Sequence, residues 1–258
     1  MSLLDDSSTS ATSLSGEVAL VSGASRGLGR HIAVALAAAG ARVAINYASS
    51  REGAEESLRA VEAAGGEAEV FRGDVTDADD VHAMVGAVEE RFGAGVGILV
   101  NNATGPQPEI PIEQSTWDDY LLQLEFFVKA PLLLLQAVLP GMRARGAGSV
   151  VNIGSEVVEV GNPSFATYVS AKAAMVGLTR SWARELGPDG IRVNLVAPGW
   201  IPVERHEGLD TTGYADRVPL GRTGTPAEIA EAVVFLASPA SRFITGQSLS
   251  VNGGNTFG

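Results

Sequence analysis

The stretch Val18-Ala19-Leu20-Val21-Ser22-Gly23-Ala24-Ser25-Arg26-Gly27-Leu28-Gly29 decides how this chain folds. Its four leading apolar residues read as a short buried strand. Three glycines then permit a tight turn and a close approach of ligand to backbone. From Gly29 to Ala39 the chain becomes Ala- and Leu-rich and reads as a helix. A helix that starts on such a turn offers unpaired N–H groups and a positive dipole end, which suits a pyrophosphate. A glycine cluster alone is weak evidence, because any tight strand-to-helix turn can use glycine. Its place in the first strand–helix unit gives it weight.

The same unit recurs along the chain. Short apolar runs follow at Val43–Ile45, Val70–Arg72, Ile98–Val100, Val150–Ile153, Val193–Val196 and Gln247–Val251. Between them lie helix-length segments at Arg51–Ala64, Asp77–Phe92, Thr116–Arg145, Tyr168–Leu186 and Pro226–Ala237. Continuous β-rich runs suit strands buried on both faces, and strand–helix alternation implies a parallel sheet covered on both sides. The expected fold class is therefore α/β, a single-domain Rossmann fold with a doubly wound, seven-stranded parallel sheet. Residues 16–258 form that domain. Residues 1–15, Ser/Thr-rich with Asp5 and Asp6, read as a disordered tail. The irregular stretch around 200–222 follows a strand and precedes a helix, so it reads as a substrate lid at the ligand crevice.

Composition removes several function classes. The 258 residues contain no cysteine, which excludes disulfide and thiolate chemistry. His31, His82 and His206 lack metal-ligand spacing, so no metal site is expected. A formal charge of −12 opposes nucleic-acid and anionic-membrane partners. No apolar run approaches the ~20 residues that span a bilayer, and the N-terminus lacks a signal-peptide pattern. A cytoplasmic protein with a small-molecule ligand is expected.

Two further sites carry chemistry. The second strand ends near Asn46, where a carboxylate would bind an adenosine ribose and repel a 2′-phosphate. Asn46 is uncharged, and Arg26 with Ser49, Ser50 and Arg51 would accept a 2′-phosphate, so NADP(H) is favoured, with NAD(H) as the alternative. Ser155 closes the strand Val150–Ile153, and Tyr168 and Lys172 follow at i and i+4 on one helix face. A free phenol titrates near a pH of about 10, and a nearby ammonium favours the phenolate. Taken alone, such a pair is more often a surface pair than a catalytic one; its order after the phosphate loop and a strand-end serine changes that.

These motifs together resemble those of the classical short-chain dehydrogenase/reductase family, in its 3-oxoacyl carrier-protein reductase-like and glucose-dehydrogenase-like branches. The resemblance runs from about Gly16 to Gly254. It rests on Gly23, Gly27 and Gly29, on Asp74-Val75, on Asn101-Asn102-Ala103, on Ser155, Tyr168 and Lys172, on Asn194, and on Pro198-Gly199. Three residues between Tyr168 and Lys172 argue against the enoyl-reductase branch. The resemblance implies a nicotinamide-dependent oxidoreductase in which Tyr168 is general acid/base, Lys172 lowers its pKa and binds the nicotinamide ribose, and Ser155 holds the substrate oxygen. The implied cofactor-binding set is Gly23, Ser25, Arg26, Gly27, Leu28, Gly29, Asn46, Tyr47, Ser49, Asp74, Val75, Asn101, Ala103, Tyr168, Lys172, Pro198, Gly199 and Ile201. It also implies a homotetramer, built partly from the apolar Thr116–Arg145 and Tyr168–Leu186 helices.

Four positions depart from the family pattern. Thr104 stands in place of a glycine, and Val203 in place of a threonine that bonds the carboxamide. Phe127 stands in place of an asparagine whose carbonyl helps to hold a relay water. Pro131, four residues later, has no N–H to offer that carbonyl and is expected to open the helix there. Asp189 falls where carrier-protein reductases tend to be basic, which favours a small or free substrate. Arg143 and Arg145 are the nearest basic residues. Glu156 and Glu204 read most simply as solvent-exposed. The alternative reading is a cofactor-binding sensor or scaffold with impaired turnover, on the strength of Phe127, Thr104 and Val203.

Overall fold

The computed structural model describes residues 11–206, 208 and 212–257. One seven-stranded sheet runs through it: β1 (Val18–Val21), β2 (Arg42–Tyr47), β3 (Glu67–Arg72), β4 (Ile98–Asn101), β5 (Gly148–Ile153), β6 (Ile191–Pro198) and β7 (Ser248–Val251). The spatial order is β3-β2-β1-β4-β5-β6-β7, with every pair parallel. The doubly wound α/β fold expected from the alternating pattern is the fold observed. β3 starts three residues before the expected run, at Glu67. It lies at the sheet edge, where Glu67 and Glu69 meet solvent without disrupting the pairing.

Helices cover both faces. Ala19 and Val21 of β1 look toward α1 (Gly27–Ala38) and α9 (Pro226–Ala237), meeting Ile32, Leu36, Ile229 and Val233. Val18 and Leu20 look the other way, toward α3 (Ala78–Phe92), α5 (Ala130–Arg145) and α7 (Ala166–Leu186). The strand period of two therefore feeds two cores, one on each face. α2 (Arg51–Ala63) lies between β2 and β3 in the chain.

Residues 1–10 of the expected tail lie outside the described residues, whereas residues 11–15 are held at two points. Leu14 is 1% exposed within the first core, and its N–H donates to Ala39 O at 2.8 Å. Ala240 N–H donates to Ala11 O at 2.9 Å. A leucine that fills a core position and backbone bonds that tie the segment down explain the order.

The long helical stretch is not uniform. α4 (Trp117–Leu124) opens on a capping box between Thr116 and Asp119. A π turn follows at Glu125–Lys129, and α5 continues to Arg145. By length and composition the whole stretch is long and apolar enough to cross a bilayer, contrary to the expectation of no such run. Core helices of soluble proteins pass the same two criteria, and Leu134, Leu135, Val138 and Met142 are buried against the sheet. In the lid, Glu204–His206 form a 3₁₀ turn and α8 spans Thr212–Ala215. Residues 207 and 209–211 of the expected lid lie outside the described residues.

Candidate active site

The predicted site residues lie at or beyond the carboxyl ends of β1 to β6, with Tyr168 and Lys172 on α7. β1 and β4 are neighbours although they are not consecutive, so the sheet reverses its winding between them. A crevice opens at such a switch point.

The phosphate loop is held from below. Gly23 and Gly27 have φ of +62° and +54°. A Cβ on Gly23 would sit 2.7 Å from Ala103 Cα, and one on Gly29 would sit 2.5 Å from Asn102 Nδ2. Both are closer than side chains tolerate. Asn102 Nδ2 donates to the carbonyls of Ser22 and Gly23, while Ser22 Oγ accepts from the N–H groups of Asn102 and Ala103. Asn102, which the sequence reading gave no role, thus braces the loop. Asn46, expected at the cofactor, also holds the loop. It is fully buried, its Oδ1 accepts from Gly23 N–H at 3.1 Å, and its Nδ2 donates to Gly73 O at 3.0 Å. With both ends of the amide engaged, it shapes the glycine turn.

Around the loop, Arg26 is exposed and forms no ion pair among the described residues. Ser49 is exposed, whereas Ser50 caps α2 and Arg51 bonds Glu55 at 2.8 Å. Tyr47 is buried in the first core, and Leu28 packs against it. Asp74 lies after β3, its Oδ1 accepting from Thr76 N–H and Oγ1, bonds that lower its pKa. Val75 is buried in the second core. Asn101 closes β4 and donates to Asn152 Oδ1 at 2.8 Å. Thr104 is exposed. The demand for glycine falls one residue later, because a Cβ on Gly105 would run into the Phe126 ring.

Ser155 follows β5, and its Oγ accepts from Val157 N–H at 3.3 Å. Tyr168 lies half-buried in the first turn of α7, and Lys172 lies one turn further and is 5% exposed. Lys172 Nζ donates to Ile153 O at 2.6 Å and stands 5.6 Å from the centre of the Tyr168 ring. It also stands 3.9 Å from the centre of the Phe127 ring, which meets Tyr168 edge-on at 5.4 Å. Burial pushes Lys172 down to about 7. The carbonyl and the ring face pull the other way, toward the charged form. The helix opening expected at Pro131 is present as the π turn. Ala130 N–H reaches back to Glu125 O, and Pro131 has no N–H for Phe127 O.

Pro198, Gly199 and Ile201 lead from β6 into the lid, and Ile201 is buried. Tyr214 of α8 folds back over them. Its hydroxyl accepts from Trp200 N–H and donates to Glu156 Oε1, each at 2.9 Å. Burial is the main cause that pushes the Tyr214 phenol up to about 12. Glu156 is 6% exposed, which corrects its reading as a solvent-facing residue; its Oε2 has no partner among the described residues. Glu204 remains half-exposed and pairs with Arg30 of α1 at 3.6 Å. Val203 faces Gly27, so the segment after β6 lies over the glycine loop. Nothing in the sequence announced the Tyr214–Glu156 bond except that Glu156 adjoins Ser155.

The chain is similar to known proteins along nearly its whole length. A family model described as enoyl-(acyl carrier protein) reductase matches residues 23–256. The 3-oxoacyl-[acyl-carrier-protein] reductase FabG of Staphylococcus aureus is 41% identical over 241 residues, covering 92% of this chain and 96% of the relative. The Vibrio cholerae protein of the same name is 41% identical over 246 residues, covering 93% and 98%. Among solved structures, gluconate 5-dehydrogenase from Burkholderia cenocepacia in complex with NADP and tartrate superposes with a TM-score of 0.88 at 35% identity, covering 96% and 98%. A 7α-hydroxysteroid dehydrogenase complexed with NADH and 7-oxo glycochenodeoxycholic acid superposes at 0.88 and 33% identity, covering 95% and 96%.

Proposed function

This chain belongs to the short-chain dehydrogenase/reductase family of NAD(P)-dependent oxidoreductases, and on that premise we propose that it interconverts a small, free carbonyl compound and its secondary alcohol with NADP(H). The observation that carries the reading is the buried Lys172 ammonium one helical turn from Tyr168, bonded to the last carbonyl of β5, the strand that Ser155 follows.

The residues fit a nicotinamide dinucleotide, because the glycine loop is a cradle that a Cβ would fill. When bound, the cofactor supplies or accepts the hydride. Ser155 holds the substrate oxygen. Tyr168 gives that oxygen a proton in reduction and takes one in oxidation. The Lys172 ammonium favours the phenolate and offers donors to the nicotinamide ribose. Arg26 and Ser49 flank the adenosine end, where no carboxylate would repel a 2′-phosphate. Asp74 and Val75 would border the adenine, Asn101 and Ala103 the adenosine ribose, and Pro198, Gly199 and Ile201 the nicotinamide. The NADP-bound neighbour supports this preference, and the NADH-bound one keeps NAD(H) as the alternative.

A carrier-bound 3-oxoacyl substrate is the second reading, favoured by the names of the relatives. Two ion pairs oppose it. Arg143 is bonded to Asp189 at 2.7 Å and Arg145 to Glu17 at 2.8 Å. Both arginines are thus neutralised on a chain of charge −12, which leaves little to attract an acidic carrier. A cytoplasmic homotetramer remains the proposed state.

Substitution Tyr168→Phe tests the reading. Turnover on a panel of ketones, sugars, steroids and 3-oxoacyl thioesters is expected to fall at least about a hundredfold. NADPH affinity, read by fluorescence titration, is expected to stay within about threefold. Tight NADPH binding with no turnover in the wild type would instead favour a sensor or scaffold.

A further inference from the structure

We propose that Phe127 is a positioning residue for Lys172: its ring face caps the ammonium, pins it between the Ile153 carbonyl and Tyr168, and closes it off from solvent. The proposal rests on the Tyr168–Lys172 reading and deepens it.

The geometry is specific. Phe127 is 1% exposed and packs with Ala171, Met175, Leu195 and Ala197, so the ring has one place to go. Nζ lies 3.9 Å from its centroid, well inside the ~6 Å reach of a cation–π contact. The edge of the same aromatic pair faces Tyr168 at 78°. The π turn presents the ring at this point in the helix, four residues before Pro131.

The charges around Lys172 make the ring matter. From α7, Tyr168 is the titratable group that faces it. From β5, the contact is a backbone carbonyl. From the π turn, Glu125 and Lys129 pair with each other at 3.7 Å, and both are half-exposed. Glu156 is bonded to Tyr214. No carboxylate forms an ion pair with Lys172 among the described residues. A buried cation needs compensation. A carboxylate would supply it but would compete with the Tyr168 phenolate for the same charge. A ring face stabilises the ammonium without competing.

The chain is well suited to the test, because Lys129 and Lys172 are its two lysines. Acetic anhydride labelling of the whole wild-type protein at pH 8, read by peptide mass, compares a capped amine with an exposed one. Burial lowers the Lys172 pKa, so protonation protects it no more than it protects an ordinary lysine, and a low rate reports exclusion of water and reagent. The expected result is Lys172 labelled at less than about one tenth the rate of Lys129. Comparable rates would overturn the seal. Substitution Phe127→Leu keeps apolar bulk and removes the ring face. It is expected to lower kcat about tenfold and to move the apparent pKa of the alcohol-oxidation profile up by about one unit, with cofactor affinity unchanged. A profile superimposable on the wild type would overturn the positioning role. Labelling needs no substrate or turnover, so failure of the cap is distinguishable from failure of the catalytic reading, which Tyr168→Phe decides.

Discussion

Lys172 is the residue at which local sequence and tertiary packing pull hardest against each other. An ordinary lysine titrates near 10.5, and burial pushes this one down to about 7. Below about pH 7 the folded and unfolded chains both hold the proton, so the full cost of burying the charge is present. As pH rises from there toward 10.5, the folded protein has released its proton and the unfolded chain has not, so the cost is relieved. Substitution Lys172→Met is therefore expected to stabilise the protein most near pH 6. The gain in thermal midpoint should shrink steadily toward pH 10, while activity is lost at all pH values. A gain that grew with pH would contradict the assignment. The i, i+4 spacing with Tyr168 was legible from the sequence, since a helix places such residues on one face. The low exposure of Lys172, and the ring that produces part of it, were not. They depend on a segment 45 positions earlier in the chain.

At the scale of the element, the helix from Trp117 to Arg145 carries the main departure from regularity. Its break is partly written in the sequence, because Pro131 withholds one N–H. The form of the break is not. The turn widens to π geometry over Glu125–Lys129 and brings the Phe127 side chain onto Lys172, which a count of missing donors does not specify. Substitution Pro131→Ala restores a donor and permits a regular helix. Calorimetry should then show a midpoint raised by a few degrees, corresponding to about 1 kcal/mol. Turnover should fall about tenfold, with the pH profile moved as in Phe127→Leu, because the ring would rotate off the ammonium. Unchanged turnover at every pH would separate the π turn from catalysis.

For the whole molecule, exposed apolar side chains fall into two sets. Trp117, Leu121, Leu122 and Leu132 belong to the helix just described, with Ile112 exposed in the loop before it and Val160 in the short helix Val157–Val160 after β5. Leu220, Phe243, Leu249 and Phe257 gather around β7, the open edge of the sheet. Two separate sticky surfaces on one chain would serve the two distinct two-fold contacts of the proposed tetramer. Light scattering at micromolar concentration is expected to give about four times the 26.6 kDa chain mass. Substitution Leu249→Glu should reduce the assembly to a dimer. A monomer in the wild type would contradict the tetramer.

The sequence by itself determined the class of fold, the order of its units and the positions of the glycine loop, Ser155, Tyr168 and Lys172. Those features are set by local periodicity, by turns that need glycine and by spacing on a single helix, all of which act between near neighbours. Tertiary structure decided the rest. It made Asn46 a brace of the glycine loop, because the end of β2 lies between Gly23 and Gly73. It buried Glu156 under Tyr214 and packed Leu14 into the core. It set Phe127 against Lys172, where a ring could hold a charge without a carboxylate. Each of these outcomes joins residues far apart in the chain, and burial and desolvation act only once the fold has brought them together.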